Sequence, residues 1–498
     1  MSHKYPAFRL FALLVVSVTL VACAARNSAV CNTIMGSTAN VAATKVVGAT
    51  IGGGGEPAFP NQVTGDYGTI GGGLDNVAGD RATVAGGSHN AALAFRATVG
   101  GGSNNTASTA YATVAGGTNN TASFHNATVG GGIYNMASGR NAVVAGGSGN
   151  SAIFSHATIA GGANNLADSI AATVAGGSRN TASGGYAVVS GGSGNRASGL
   201  DTAINGGAGN LASGEYATIG GGLVNRATGK YSLVGGGLEN LAGTANDDQV
   251  QYATVGGGAY NTASGPFSTV QGGSANSAAS AYSFAAGRRA KIEAAHAGTF
   301  LYADANDLDF DSMAANEFAV RATCGVRFVT AVDGFGNPIA GVRLAKGSGS
   351  WEFLSDRNAK TNIAPVDGRE MLERLMSVPI STWTYKTEDA SIRHIGPMAQ
   401  DLAVFGVGGS DSYISMVDAN GVALAAMQGL YQVVQEKDIQ IASQQRQIAE
   451  LESRIATLEQ RISQNGMQAQ PVSWTYGWLL FTSIGLAGLA LAQRWCTR

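Results

Sequence analysis

Charge is scarce in this chain. Asp, Glu, Lys and Arg make up only 12% of its 498 residues, and the formal net charge is −2. A basic nucleic-acid surface is excluded by that balance, so no nucleic-acid partner is expected. Nine prolines rule out collagen and Pro-rich linkers. The four cysteines, Cys23, Cys31, Cys324 and Cys496, are too scattered for a disulfide framework or a zinc site. Neither a metal nor a cofactor is expected. Disorder would need low hydrophobicity with high net charge, and 45% of the residues are hydrophobic. Glycine is what the chain has in excess. Its 73 copies are about 15% of the residues, roughly twice ordinary usage. The length suggests about three domains.

The glycines belong to a repeat. Asn recurs every fifteen residues from Asn90 to Asn240, with Asn76 before and Asn261 and Asn276 after an insertion near Ala245 to Val250. Asn61 heads an irregular first copy. A small residue sits two positions after each Asn, as Ala78, Ala92, Ala107 and onwards to Ala278. A β-branched series runs through Val84, Val99, Val114, Val129 and on to Val270, each followed by Gly-Gly. Fifteen residues are too few for two packed helices but suffice for two short strands and two turns. Val/Ile and Ala then point inward and stack on the neighbouring coil. Gly supplies positive φ at the corners, and the stacked Asn can take a left-handed turn and share amide hydrogen bonds. So thin a core makes burial by trimerisation a physical expectation.

This repeat, over about residues 48–290, resembles the left-handed β-roll of trimeric autotransporter adhesin heads. The resemblance implies a homotrimeric surface fibre with a glycan or other cell-surface ligand. Calcium-binding rolls need acidic residues that the repeat lacks. Ice binding needs doubled Thr ladders, whereas one Thr recurs per coil (Thr83, Thr98, Thr113, Thr128) and Val143 and Val188 interrupt it. A sugar-cleaving spike needs paired carboxylates, which the roll does not offer.

Residues 284–354 read as a neck and short β connector. Arg288 and Arg289 close the roll, and Asp304, Asp307, Asp309 and Asp311 form an acidic cluster, read as a solvated loop before a metal site. Arg321 to Val329 and Gly341 to Leu344 read as strands. From Ser355 glycine falls and charge rises. Glu370 to Met376 reads as a helix and Ser381 to Tyr385 as a strand.

Three ordered motifs follow: Ser355-Asp356 with Lys360; Ile395-Gly396 with Ala399-Gln400-Asp401; and Val417-Asp418 with Gly421-Val422-Ala423 and Leu430. They resemble the C-terminal intramolecular chaperone of phage endosialidases and tail spikes. The resemblance implies a trimeric, self-cleaving domain at 355–426, with Ser355 and Lys360 catalytic and Ser355–Asp356 as the bond cut. The chemistry is consistent with this. A serine hydroxyl needs a base, and a lysine is one only when neutral, which burial promotes. His394 and Asp401 are candidates to support the site, although His394 serves a structural hydrogen bond at least as readily.

Met427 to Asn465 reads as a coiled coil, with Met427, Val434, Ile441, Ile448, Ile455 and Ile462 at a positions. Leu430, Lys437, Gln444, Leu451 and Leu458 occupy d. Ile at a with Leu at d leans towards dimers, but Lys437 and Gln444 spoil that rule, and both resemblances imply a trimer.

The ends are hydrophobic. Lys4 and Arg9 precede the apolar run Leu10 to Ala22, which fits a signal peptide over residues 1–23. Leu20-Val21-Ala22-Cys23 resembles the bacterial lipoprotein box, making Cys23 a candidate lipidation site; ordinary cleavage between Ala22 and Ala25 is the alternative. Residues 474–493 read as one transmembrane helix with flanking Trp474, Trp478 and Trp495. Arg494 and Arg498 place the C-terminus inside and the body outside. The expected architecture is mainly β: a trimeric, left-handed parallel β-roll, a small α+β chaperone domain, a coiled coil and a C-terminal membrane helix. The expected function is an exported surface fibre or adhesin at the bacterial cell envelope, cut once from its own chaperone. A glycan-binding or carbohydrate-active spike, and a membrane-tethered release device without adhesion, are the alternatives.

Overall fold

A computed structural model describes residues 20–22, 31–244 and 250–465. The chain divides into two compact units, Met1–Val326 and Arg327–Arg498.

The first unit is a parallel β-solenoid. Each coil contributes two dipeptide strands, such as Thr98–Val99 and Thr106–Ala107. Both pair in parallel with the coils before and after. Thr98 lies beside Thr83 and Thr113, and Ala107 beside Ala92 and Ala122. The period-2 alternation of a strand explains the pattern: the Thr is half-buried and outward, the Val fully buried. A third inward column, Ala82, Ala97, Ala112 and so on, closes the interior. One Val or Ile with two Ala is a small core. The Val contributes about 1.5–3 kcal/mol, less than the cost of ordering a coil at ~1–2 kcal/mol per residue. Inter-coil hydrogen bonds and neighbouring coils must supply the rest.

The repeated Asn does this differently from the expectation. It is not the left-handed residue; the one before it is, as at Asn104, with φ 56°. The Asn is buried instead. Asn105 Nδ2 donates to the carbonyls of Gly101 and Gly117, both at 2.8 Å, while its Oδ1 accepts the Asn120 amide at 3.0 Å. The ladder is therefore mainly side chain to backbone. The second glycine of each pair is required by close approach: at Gly102, φ 88°, a Cβ would lie 2.0 Å from the Gly117 carbonyl oxygen.

The parallel ladders start before residue 48 and continue past 283. They run from Thr33, paired with Thr50, through Phe284, Phe300 and Phe318. At that end the acidic cluster is occupied by arginines. Asp304 pairs with Arg321 at 3.0 Å, Asp307 with Arg288 at 2.9 Å and Asp309 with Arg289 at 2.8 Å. Arg321 also donates to the carbonyls of Leu308 and Asn306, so its guanidinium caps the final coils. Cys31 is disulfide-bonded, and Cys324 is free and exposed.

An antiparallel sheet of Gly325–Val332, Pro338–Ala345 and Trp351–Phe353 lies, but for its first two residues, in the second unit. Helix α1 (Gly368–Met376) is capped by Asp367, whose carboxylate accepts the amides of Arg369 and Glu370. The short α2 spans Ala399–Leu402, and α3 runs fifty residues from Met416 to Asn465. A small core of Val378, Phe405 and Val422, with Met371, Leu375 and Leu402 packed on it, joins α1 to the start of α3. Gly368 meets Gly429 so closely that a Cβ on Gly429 would lie 2.1 Å from the Gly368 carbonyl oxygen. Beyond Ala426 the a and d residues of α3 are exposed along a single helix. Among the described residues no helix is long and apolar enough to cross a membrane. The expected span 474–493 and the candidate lipidation site Cys23 lie outside the described residues.

Candidate active site

Ser355 leaves the third strand of the antiparallel sheet, where the Leu354 amide donates to the Gly341 carbonyl at 3.1 Å. The chain then turns at once. Asp356 is extended, and its side chain accepts the Asn358 amide at 2.9 Å, the standard N-cap geometry of a turn. One 3₁₀ turn, Arg357–Ala359, follows, and the Lys360 amide closes it on the Arg357 carbonyl at 3.2 Å. The five-residue spacing thereby becomes a contact. Lys360 Nζ donates to Ser355 Oγ at 2.6 Å.

Both residues are exposed. In this geometry Lys360 is a donor to the serine rather than its base. Desolvation would be needed to invert that.

Ser355 also borders a cleft of about 370 Å³ on the sheet, lined by Arg327, Phe328, Val342, Arg343, Glu352 and Phe353 among others. Arg343 and Glu352 pair across the strands at 2.6 Å. The sequence pattern marked the first two of these strands but neither the third, Trp351–Phe353, nor this floor, because alternation alone does not say which neighbour a sheet face meets.

The two support candidates sit elsewhere in the unit. His394 lies on the strand His394–Gly396, opposite Trp383. Its Nε2 is 2.8 Å from Glu388 Oε2, and its ring stacks on Trp383 at 4.7 Å. That is the structural hydrogen bond the sequence left open. Asp401 sits in α2, its amide donating to the Met398 carbonyl at 3.1 Å. Among the described residues, no hydrogen bond joins either to the Ser355–Lys360 pair. Glu388 and Trp383 were not foreseen as partners; only their place on a hairpin with His394 would have signalled them.

Residues 355–405 match the family described as chaperone of endosialidase. The match begins at Ser355, covers the dyad and ends at Phe405 of the small core. A solenoid followed by such a domain is the arrangement the two resemblances imply. No curated protein matches the chain.

Proposed function

We propose that the chain is a homotrimeric, exported fibre whose C-terminal domain aligns three copies and then cuts itself off through Ser355 and Lys360. The observation that carries this reading is the 2.6 Å contact between Lys360 Nζ and Ser355 Oγ at the head of the family match. Trimer formation is supported by the unpartnered a and d stripe of α3 and by the thin solenoid core. A left-handed, adhesin-like roll is the head of the fibre in this reading. The signal peptide, Cys23 and residues 474–493 would hold it at the bacterial envelope, with the body outside. Before scission the roll is tethered through the coiled coil; afterwards only a lipid on Cys23 or contacts between chains retain it.

The chemistry follows from burial. Assembly would cover the exposed dyad, favour neutral Lys360 and let it accept the Ser355 proton. Hydrolysis consumes one water and leaves a carboxylate and an amine. The bond is Ser355–Asp356, as the resemblance implies. Scission at Leu354–Ser355, which Ser355 Oγ can reach through a five-membered ring, would instead leave Ser355 at the new N-terminus. On electrophoresis, purified wild type should give two fragments, while Ser355→Ala and Lys360→Ala stay intact. Cleavage persisting in both variants overturns the dyad.

A further inference from the structure

Charge is confined to one side of each coil. Fourteen copies of a six-residue window run from Thr69–Leu74 to Thr269–Ser274, and none holds a charged, histidine or aromatic residue. Each window contributes an outward, mostly half-buried side chain such as Thr98 or Thr113, then a Gly-Gly corner, then a small or aliphatic residue. That last residue bridges coil to coil, from Leu74 and Ser88 to Ala259 and Ser274. The opposite ladder is different: its outward residues include Arg196 and Arg226.

At seven of the fourteen corners the first glycine has no explanation within the chain; at the other seven, Gly101 and Gly131 among them, a φ between 138° and 159° favours it. At Gly116, Gly146, Gly161, Gly176 and Gly191 an added Cβ meets nothing within 4 Å, and the backbone is outside the left-handed range that favours glycine. Its neighbour is the reverse case, since at Gly117 a Cβ would sit 2.1 Å from the Gly132 carbonyl oxygen. The position before the pair varies among Ala, Gly, Ser, Asn and Gln, yet this one is glycine in all fourteen copies. Where φ is ordinary, open space without a side chain indicates close approach from outside.

We propose that this uncharged band is the face by which the three solenoids meet about a common axis. The proposal rests on the trimeric reading above. A second copy is the occupant because only a partner with the same strand spacing can meet the same small corner at every coil. The dimensions agree. At ~4.8 Å per coil and ~3.3 Å per residue, the band is about 65 Å long and at most about 20 Å wide. Contact over two thirds of it would remove about 800 Å² per subunit, the size of a standard interface. The stack Phe284–Phe300–Phe318, with centroids 4.8 Å apart, continues the same outward column, and Phe318 is 68% exposed.

The test uses the full chain with Cys324→Ser and Cys496→Ser, carrying either Thr113→Cys on the band or Thr121→Cys on the opposite ladder. Light scattering gives the oligomer mass first, and a short bismaleimide then links cysteines that lie close. A trimer with at least tenfold more interchain product at Thr113 than at Thr121 is expected. A monomeric mass overturns the trimeric reading and this one with it. A trimer that links at Thr121 and not at Thr113 overturns the face alone. Gly161→Ala provides an independent measurement: within the coil the added Cβ meets nothing within 4 Å, so a lowered unfolding midpoint is expected, and an unchanged midpoint overturns the face.

Discussion

Replacing Asn165 with alanine removes one rung of the buried ladder without touching the apolar columns. Asn165 Nδ2 donates to the carbonyls of Gly161 and Gly177, both at 3.0 Å, and its Oδ1 accepts the Asn180 amide at 3.0 Å. Nδ2 also donates to Asn150 Oδ1 at 3.1 Å, which keeps the Asn165 amide; the other three groups fare differently once the side chain is gone. Gly177 keeps the Ala163 amide at 2.9 Å. Gly161 is half-buried, so its carbonyl can turn to water. Asn180 is buried, and its N–H is left without a partner. An unsatisfied buried group costs about 1–3 kcal/mol, so the loss should be about 2–4 kcal/mol, allowing for the carbonyls and a small void. Urea denaturation followed by circular dichroism reads the difference, and hydrogen exchange should localise it to coils around residues 150–180. Asn164→Ala is the control. Asn164 is exposed with φ 56°, so alanine there costs only the left-handed conformation, about 1–2 kcal/mol. If Asn165→Ala lies within about 1 kcal/mol of wild type, the ladder is not what holds the coils.

Three further outcomes are expected. The Asp304 carboxyl is held well below the usual range, chiefly by the Thr323 amide and hydroxyl and further by Asn306; a depressed carboxylate stabilises above its unfolded pKa and is lost as pH falls through the folded one. The last coils should therefore loosen only in strong acid, and Thr323→Val should move that transition to higher pH, read by hydrogen exchange of residues 300–323. His394→Ala should destabilise the hairpin yet leave self-cleavage intact, because the ring serves Glu388 and Trp383; abolished cleavage in a folded variant would give His394 a direct role. Leu451→Asp should abolish the proposed trimer, since this d position is exposed on a single helix, and light scattering would show it.

The period alone made the coil legible. Identical spacing forces Thr to stack on Thr and Ala on Ala, so strand order and the inward columns follow from counting. The count failed where residues changed but geometry did not. Beyond 283 the outward Thr becomes Phe284, Phe300 and Phe318, at widening separations, and the ladder continues unseen. The acidic cluster was opaque for another reason: Asp304, Asp307 and Asp309 are answered by Arg321, Arg288 and Arg289, which reach them from other coils. At the candidate site, the five-residue gap between Ser355 and Lys360 became a contact because Asp356 caps one 3₁₀ turn, a local signal readable in sequence. The separate hairpin around His394 was not readable, since its partners depend on a two-strand register.

Assembly followed by one self-inflicted cut can be read from mass spectrometry of the purified full chain under native and denaturing conditions. The expected result is a trimer of a fragment ending at Ser355, a second fragment beginning at Asp356, and an uncut trimer for Ser355→Ala. A wild-type chain that forms trimers yet keeps its full mass, or a Ser355→Ala chain cut at the same bond, would contradict it.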